Sequence, residues 1–169
     1  AGVQVTLAPI AELEAFGSEF DDRVVLGGPR QSVFGFDGND VVVATAARLP
    51  GALLQGGDHT TRDTLQLSGG GNFDLRRVFV SGFERVEALA STASVSVWLP
   101  AQAIEAVLRS AGSLTLGANA AQTALGSPYA DTITLGAAGQ MVMARGGADT
   151  ISGTAAQLVA GTMIDGGGG

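Results

Sequence analysis

The chain has 169 residues, enough for one domain with a substantial core; 26 of them are glycine, and only 5% are aromatic and 15% charged. It contains no cysteine, and all nine of its cations are arginine, which excludes a disulfide scaffold, a thiolate metal site, a cysteine nucleophile, a Walker lysine and a Schiff-base lysine. Sixteen carboxylates leave a net charge of -7, which argues against nucleic acid and anionic membranes and suits divalent cations. The most apolar stretch, 88–108, is interrupted by serines, Pro100, Gln102 and Glu105, so no transmembrane segment is expected.

The first organised segment, 17–50, returns at 126–159 with a constant offset of 109, and 13 of the 34 positions are identical. Among them are Gly17/Gly126, Asp22/Asp131, Gln31/Gln140, Gly38/Gly147 and Asp40/Asp149. A repeat of this kind is the signature of a repetitive architecture and sets the fold before any single element does. Within each copy a period of nine residues separates apolar positions, Val24, Val33 and Val42 in the first and Ile133, Val142 and Ile151 in the second. A β-branched triplet followed by a Gly-rich turn every nine residues is too brief for helices and too regular for a sandwich. The pattern predicts an all-β fold, a right-handed parallel β-helix or β-roll solenoid in which two nonapeptides make one turn, with those six residues pointing inward. Glycines supply the positive φ that tight corners require.

Along the chain between the two copies, Gly56-Gly57-Asp58 followed by Asp63-Thr64-Leu65 reads as a nonapeptide with two residues inserted before its aspartate. His59 falls in that insertion; an exposed loop histidine with no cysteine or second histidine reads as an ordinary loop residue. Strand-like alternation follows at 63–67, 77–80 and 94–99, the run Gly69-Gly70-Gly71 reads as a corner, and 101–110 is expected to form one short helix stopped by Gly112. Trp98 and Tyr129 read as core or rim aromatics. The chain begins at Ala1 with no charged-then-apolar leader and closes on Asp165-Gly166-Gly167-Gly168-Gly169, and it is read as a single solenoid segment, 1–169, cut from a longer chain.

Asp22 and Asp40 are eighteen residues apart, as are Asp131 and Asp149, so each pair falls at one corner of adjacent rungs, where two carboxylates repel. A Ca²⁺ ion, which takes six to eight hard oxygen ligands including corner carbonyls, offsets that repulsion. Ordinary turn chemistry, in which Asp and Asn bind nearby backbone amides, is the competing explanation. At the opposite corner the equivalent residue is Gln31 or Gln140, and that edge is expected to be metal-free and closed by amide hydrogen bonds.

Gly35-Phe36-Asp37-Gly38-Asn39-Asp40-Val41-Val42-Val43 matches the nonapeptide GGxGxDxUx at every defined position except the second glycine, and 144–152 matches its second half. On these residues the chain resembles the RTX, or hemolysin-type calcium-binding, family of secreted bacterial proteins. Ser81-Gly82-Phe83-Glu84-Arg85-Val86 looks like the degenerate linking rungs of large surface-layer proteins and adhesins of that family. The resemblance implies Ca²⁺ held by Asp22 with Asp40 and by Asp131 with Asp149, with Gly35, Asp37, Gly38 and Asn39 shaping the loop. It also implies type I secretion to the bacterial cell surface, adjoining repeats as the first partners with end-to-end or lateral self-association, and a cell-surface glycan as a candidate target. The expected role is structural and non-enzymatic. Two alternatives share the coil: a β-helical polysaccharide lyase or epimerase, which Arg76, Arg77 and Arg85 keep open, and an autotransporter passenger.

Overall fold

A computed structural model describes residues 1–89, 94–102 and 104–168. It is a nearly all-β chain of parallel strands wound as a β-solenoid of about 8 turns. In chain order the strands are β1 (Gln4–Thr6), β2 (Glu14–Phe16), β3 (Arg23–Val25), β4 (Ser32–Asp37), β5 (Val41–Ala44), β6 (Leu53–Asp58), β7 (Thr64–Ser68), β8 (Gly71–Asp74) and β9 (Phe79–Ser81). There follow β10 (Arg85–Leu89), β11 (Val95–Trp98), β12 (Glu105–Leu108), β13 (Gly112–Thr115), β14 (Thr123–Leu125), β15 (Thr132–Thr134), β16 (Met141–Met143), β17 (Thr150–Ser152) and β18 (Met163–Asp165). The described residues group into two compact units, those of 1–68 with 77–86, and those of 69–76 with 87–89, 94–102 and 104–168.

In the first unit, the parallel order β1-β3-β5-β7 makes one sheet and β2-β4-β6-β9 another. Register is set by single inward columns: Val5, Val24, Val42 and Leu65 lie side by side in the first sheet, and Ala15, Val33, Leu54 and Val80 in the second. From Val24 and Ala15 onward every member of these columns is buried. Because strand side chains alternate, a slip of one residue would turn a whole column to solvent. Most residues beside each column are exposed or part-exposed, Val43 excepted, and on the second sheet Phe16 stacks on Phe34 with ring centres 5.2 Å apart.

The second unit repeats the plan with β8-β11-β13-β15-β17 and β12-β14-β16-β18. Phe73, Val97, Leu114 and Ile133 form one buried column and Ala106, Ala124 and Val142 the other. Five of the six residues expected to point inward are buried; Ile151 is half-exposed, because β17 is the last strand of its sheet and has only β15 beside it. The helix expected over 101–110 is absent among the described residues of that segment, which exclude Ala103, and β12 stands there instead. Its Ala106, Val107 and Leu108 are all buried and its backbone pairs with β14, a ladder that overrides the helical spacing of Ile104, Val107 and Leu108. Strands are found within 63–67 and 94–99 as expected, whereas Arg77 ends a 3₁₀ turn, Leu75–Arg77, ahead of β9.

Leu54 has no exposed surface and stands between Val33 and Val80, so Leu54→Ala removes buried contacts on both sides. It should cost about 2–5 kcal/mol in chemical denaturation, whereas Tyr129→Ala, at an exposed ring, should change stability by less than about 0.5 kcal/mol.

Candidate functional site: an aspartate ladder at the corners

Each strand that follows an acidic corner is preceded directly by a carboxylate: Asp22 before β3, Asp40 before β5, Asp63 before β7 and Glu84 before β10. The three aspartates are buried in the coil, and Glu84 is part-exposed at its rim. Asp40 Oδ1 accepts the backbone N–H of Asp22 at 2.8 Å, Asp63 Oδ1 that of Asp40 at 2.7 Å, and Glu84 Oε2 that of Asp63 at 2.8 Å. Asp22 in turn accepts the N–H of Val3. Each rung's carboxylate therefore caps the rung before it. In the second unit the same relation joins Asp149 to the N–H of Asp131 at 2.9 Å and Asp131 to that of Gly112 at 2.8 Å. The structure thus brings together both sequence-predicted pairs. Bonds from neutral amides to carboxylates are charge-assisted, and they satisfy corner amides that would otherwise be buried without partners.

The second carboxylate oxygen divides the corners into two kinds. At Asp22 and Asp131 the preceding turn carries a serine, Ser18 or Ser127, whose N–H and hydroxyl both bind Oδ2. These carboxylates are saturated by protein donors. At Asp40, Asp63 and Asp149 the Oδ2 atom is buried and has no hydrogen-bond partner. The cause lies four or more residues earlier, where Phe36, Gly57 and Arg145 occupy the positions equivalent to the serines and adopt φ of 73°, 120° and 77°. A left-handed residue rotates the local peptide out of the serine-type turn. The turn at Phe36 therefore keeps a glycine-like backbone although the second glycine of the nonapeptide is missing.

Gly35 explains why the first position of the turn carries no side chain. A Cβ there would run into both Asp40 Oδ2 and the carbonyl oxygen of Gly56, so the two oxygens face one small cradle. At the equivalent place before Asp149 stands Ala144, a residue with a Cβ. Gly38, at φ 125°, is held against the backbone of Phe20 and Asp21, where a Cβ would collide. Asn39 is committed to the loops: its N–H and side-chain amide bind Asp21 Oδ1, and its own Oδ1 accepts the N–H groups of Thr61 and Arg62 at 2.7 and 3.1 Å. Asp37 is exposed and lies level with Asp58 on the adjoining strand. Asp37, Gly38 and Asn39 accordingly shape the outer turn, beside an open cleft of about 400 Å³ that Glu19 and Asp21 also line.

Burial raises the pKa of Asp40, with the neighbouring carboxylates Asp22 and Asp21 adding to the effect and the Asp22 amide opposing it. Burial likewise lifts Asp63 from the usual 3.8 to about 6, reinforced by Asp40 and Glu84 and opposed by the Asp40 amide and by His59.

The opposite corner is built from glutamines. Gln31 is fully buried; its Oε1 accepts the Gly27 N–H at 2.8 Å, and its Nε2 donates to the carbonyls of Ala8 and Ile10 at 2.9 and 2.6 Å. Gln140 repeats this with Gly136, Gly117 and Asn119, as expected for a neutral edge closed by amide bonds. Sequence reasoning missed Gln122, which does the same with Gly117, Pro100 and Gln102, although its spacing of eighteen from Gln140 was the available signal. It also missed Glu84 as the ladder's next carboxylate, because the longer side chain breaks the Asp pattern.

Among the arginines, Arg76 binds Asp74 at 2.7 and 2.9 Å and lies 5.8 Å over the Trp98 ring. No protein-family profile matches the chain, and comparisons with curated proteins and with solved structures return no match.

Two outcomes follow. Gln31→Ala leaves a backbone N–H and two carbonyls of the corner without partners and should cost about 1–3 kcal/mol in denaturant titration. In chelator, the raised pKa of Asp63 means that the folded chain keeps a proton between about 3.8 and 6 which the unfolded chain has lost. Its contribution to stability is greatest below the unfolded value, falls as pH rises through about 6, and is level above it. Melting curves of wild type against Asp63→Asn, which keeps an oxygen for the Asp40 amide, should show a steeper fall in wild type, the variant keeping only the part due to the raised pKa of Asp40.

Proposed function

We propose that this chain is a structural, calcium-stabilised segment of a large secreted bacterial cell-surface protein of S-layer or adhesin type. The observation that carries the reading is the orphaned Oδ2 of Asp40 facing the Gly56 carbonyl across the space that Gly35 leaves open. Two oxygen acceptors with no donor between them are relieved by a cation, and a buried carboxylate beside backbone carbonyls is the hard-oxygen chemistry that Ca²⁺ takes. Asp40 is the principal side-chain ligand in this reading, with Asp149 a weaker one because Ala144 stands where the Asp40 corner has Gly35. Asp22 and Asp131, already saturated, hold the corner in register as neighbours. Gly35, Gly38, Asp37 and Asn39 support the turn from outside.

The resemblance of 35–43 to the calcium nonapeptide supports the secreted setting, where millimolar calcium fills sites of roughly 10⁻⁴ to 10⁻³ M affinity. Parallel edge strands such as β1 and β18, each paired on one side only, support stacking on adjoining repeats. No helix among the described residues is long and apolar enough to cross a membrane.

Millimolar calcium should raise the melting temperature of wild type, and Asp40→Asn, which retains an oxygen for the Asp22 amide, should lose most of that rise. Gln31→Ala should melt lower while keeping the full calcium increment. An equal increment in wild type and Asp40→Asn would overturn the calcium reading.

A further inference from the structure

The connection from β6 to β7 carries five residues, 59–63, where the equivalent connection from β4 to β5 carries three, 38–40. The two extra residues bring His59 back over the acidic corner. Its Nδ1 lies 3.3 Å from Glu84 Oε2 and 4.0 Å from Asp63 Oδ2, and all three donor atoms lie within 4.8 Å of one another. The enlarged loop is pinned in place by Asn39, which accepts from Thr61 and Arg62 and bonds the Thr60 hydroxyl at 2.9 Å.

A histidine beside two carboxylates is by itself only an ion-pair arrangement. The independent observation is Asp63: it has no exposed surface, its Oδ1 is used by the Asp40 amide, and its Oδ2, 4.0 Å from the imidazole Nδ1 and facing the Gly82 carbonyl across Gly56, has no hydrogen-bond partner. We propose that His59, Asp63 and Glu84 form a binding site for a zinc-class transition-metal dication, separate from the calcium corner at Asp40.

The donor set and its spacing support this identity. Bonds of about 2.0–2.2 Å to nitrogen and carboxylate oxygen in tetrahedral geometry place ligand atoms roughly 3.4 Å apart. The His59–Glu84 separation already has that value, and the His59–Asp63 separation exceeds it by well under 1 Å. An imidazole nitrogen favours zinc-class ions over calcium, which takes oxygen. The ladder itself supplies the outer support: the Asp63 N–H holds Glu84 Oε2 and the Asp40 N–H holds Asp63 Oδ1, so both carboxylates are oriented before any ion arrives. His59 and Glu84 side chains are 31% and 37% exposed, which leaves a path for the ion and room for water at the remaining position. The bound ion would fasten the inserted loop to two successive rungs.

The experiment titrates the full chain with ZnCl₂ by calorimetry at pH 7.5, in millimolar calcium so that the calcium corner is filled. Wild type should bind one equivalent, His59→Gln should bind at least about tenfold more weakly, and Glu84→Gln should follow it. Circular dichroism in chelator checks that each variant folds, and Asp40→Asn should retain zinc binding, which separates this site from the calcium reading. Should a variant fail to fold, Co²⁺ added to wild type gives the answer alone: an intense visible band of tetrahedral cobalt, bleached by zinc and unaffected by calcium, is expected. Absence of saturable zinc binding, equal affinity in folded His59→Gln, displacement of zinc by calcium one for one, or absence of the cobalt band would overturn the proposal.

Discussion

The interaction on which the rest of the structure depends is the bond from a corner carboxylate to the backbone N–H one rung earlier. Parallel strands pair their own amides, but the chain must leave each sheet at a corner, and there the peptide groups turn into the coil out of reach of any strand. Asp40 to Asp22, Asp63 to Asp40 and Asp149 to Asp131 solve this with side chains. Glutamines solve it on the other edge, where Gln31, Gln122 and Gln140 each join an N–H of their own turn to carbonyls of the turn before. The apolar columns supply most of the burial, yet columns of Val, Leu and Ile are interchangeable between rungs. The polar corners fix which rung follows which.

The two edges differ in what they leave over. An amide has donors and an acceptor, so Gln31 meets carbonyls and an N–H together and nothing remains. A carboxylate has only acceptors, so a corner that presents one N–H and a carbonyl leaves an oxygen facing an oxygen. Where a serine follows the first glycine, as at Ser18 and Ser127, the surplus is absorbed locally. Where a left-handed residue stands at the serine's position, as at Phe36, Gly57 and Arg145, the surplus persists in the interior. The chemistry of this coil is thus decided by one backbone torsion per acidic turn.

Much of this was legible in the sequence. A period of nine named the inward residues, and the shared alternation of Asp with Gln named both corners. What was not legible depended on neighbours that spacing cannot reveal. Whether 101–110 coils or extends was decided by the edge of β14, whose pairing to β12 outweighs a helical pattern. Ile151 has the right phase and lacks a rung to cover it. Asp37 and Asn39 carry the family-like letters, but one faces solvent and the other is consumed by the loops it joins. Glu84 was hidden because a glutamate, one methylene longer, stands where an aspartate caps the other corners.

The caps also give the chain a direction. In every acidic pair the donor is the earlier residue and the acceptor the later one, eighteen to twenty-three residues downstream. Synthesis from the N-terminus therefore always presents a newest corner whose amide waits for a carboxylate not yet made, while the corners before it already have theirs. Growth is self-templating in one sense only, each arriving rung sealing its predecessor and exposing its own unmet amide to the next. Wherever such a coil is ordered only up to a given rung, the open amide stands at its C-terminal side.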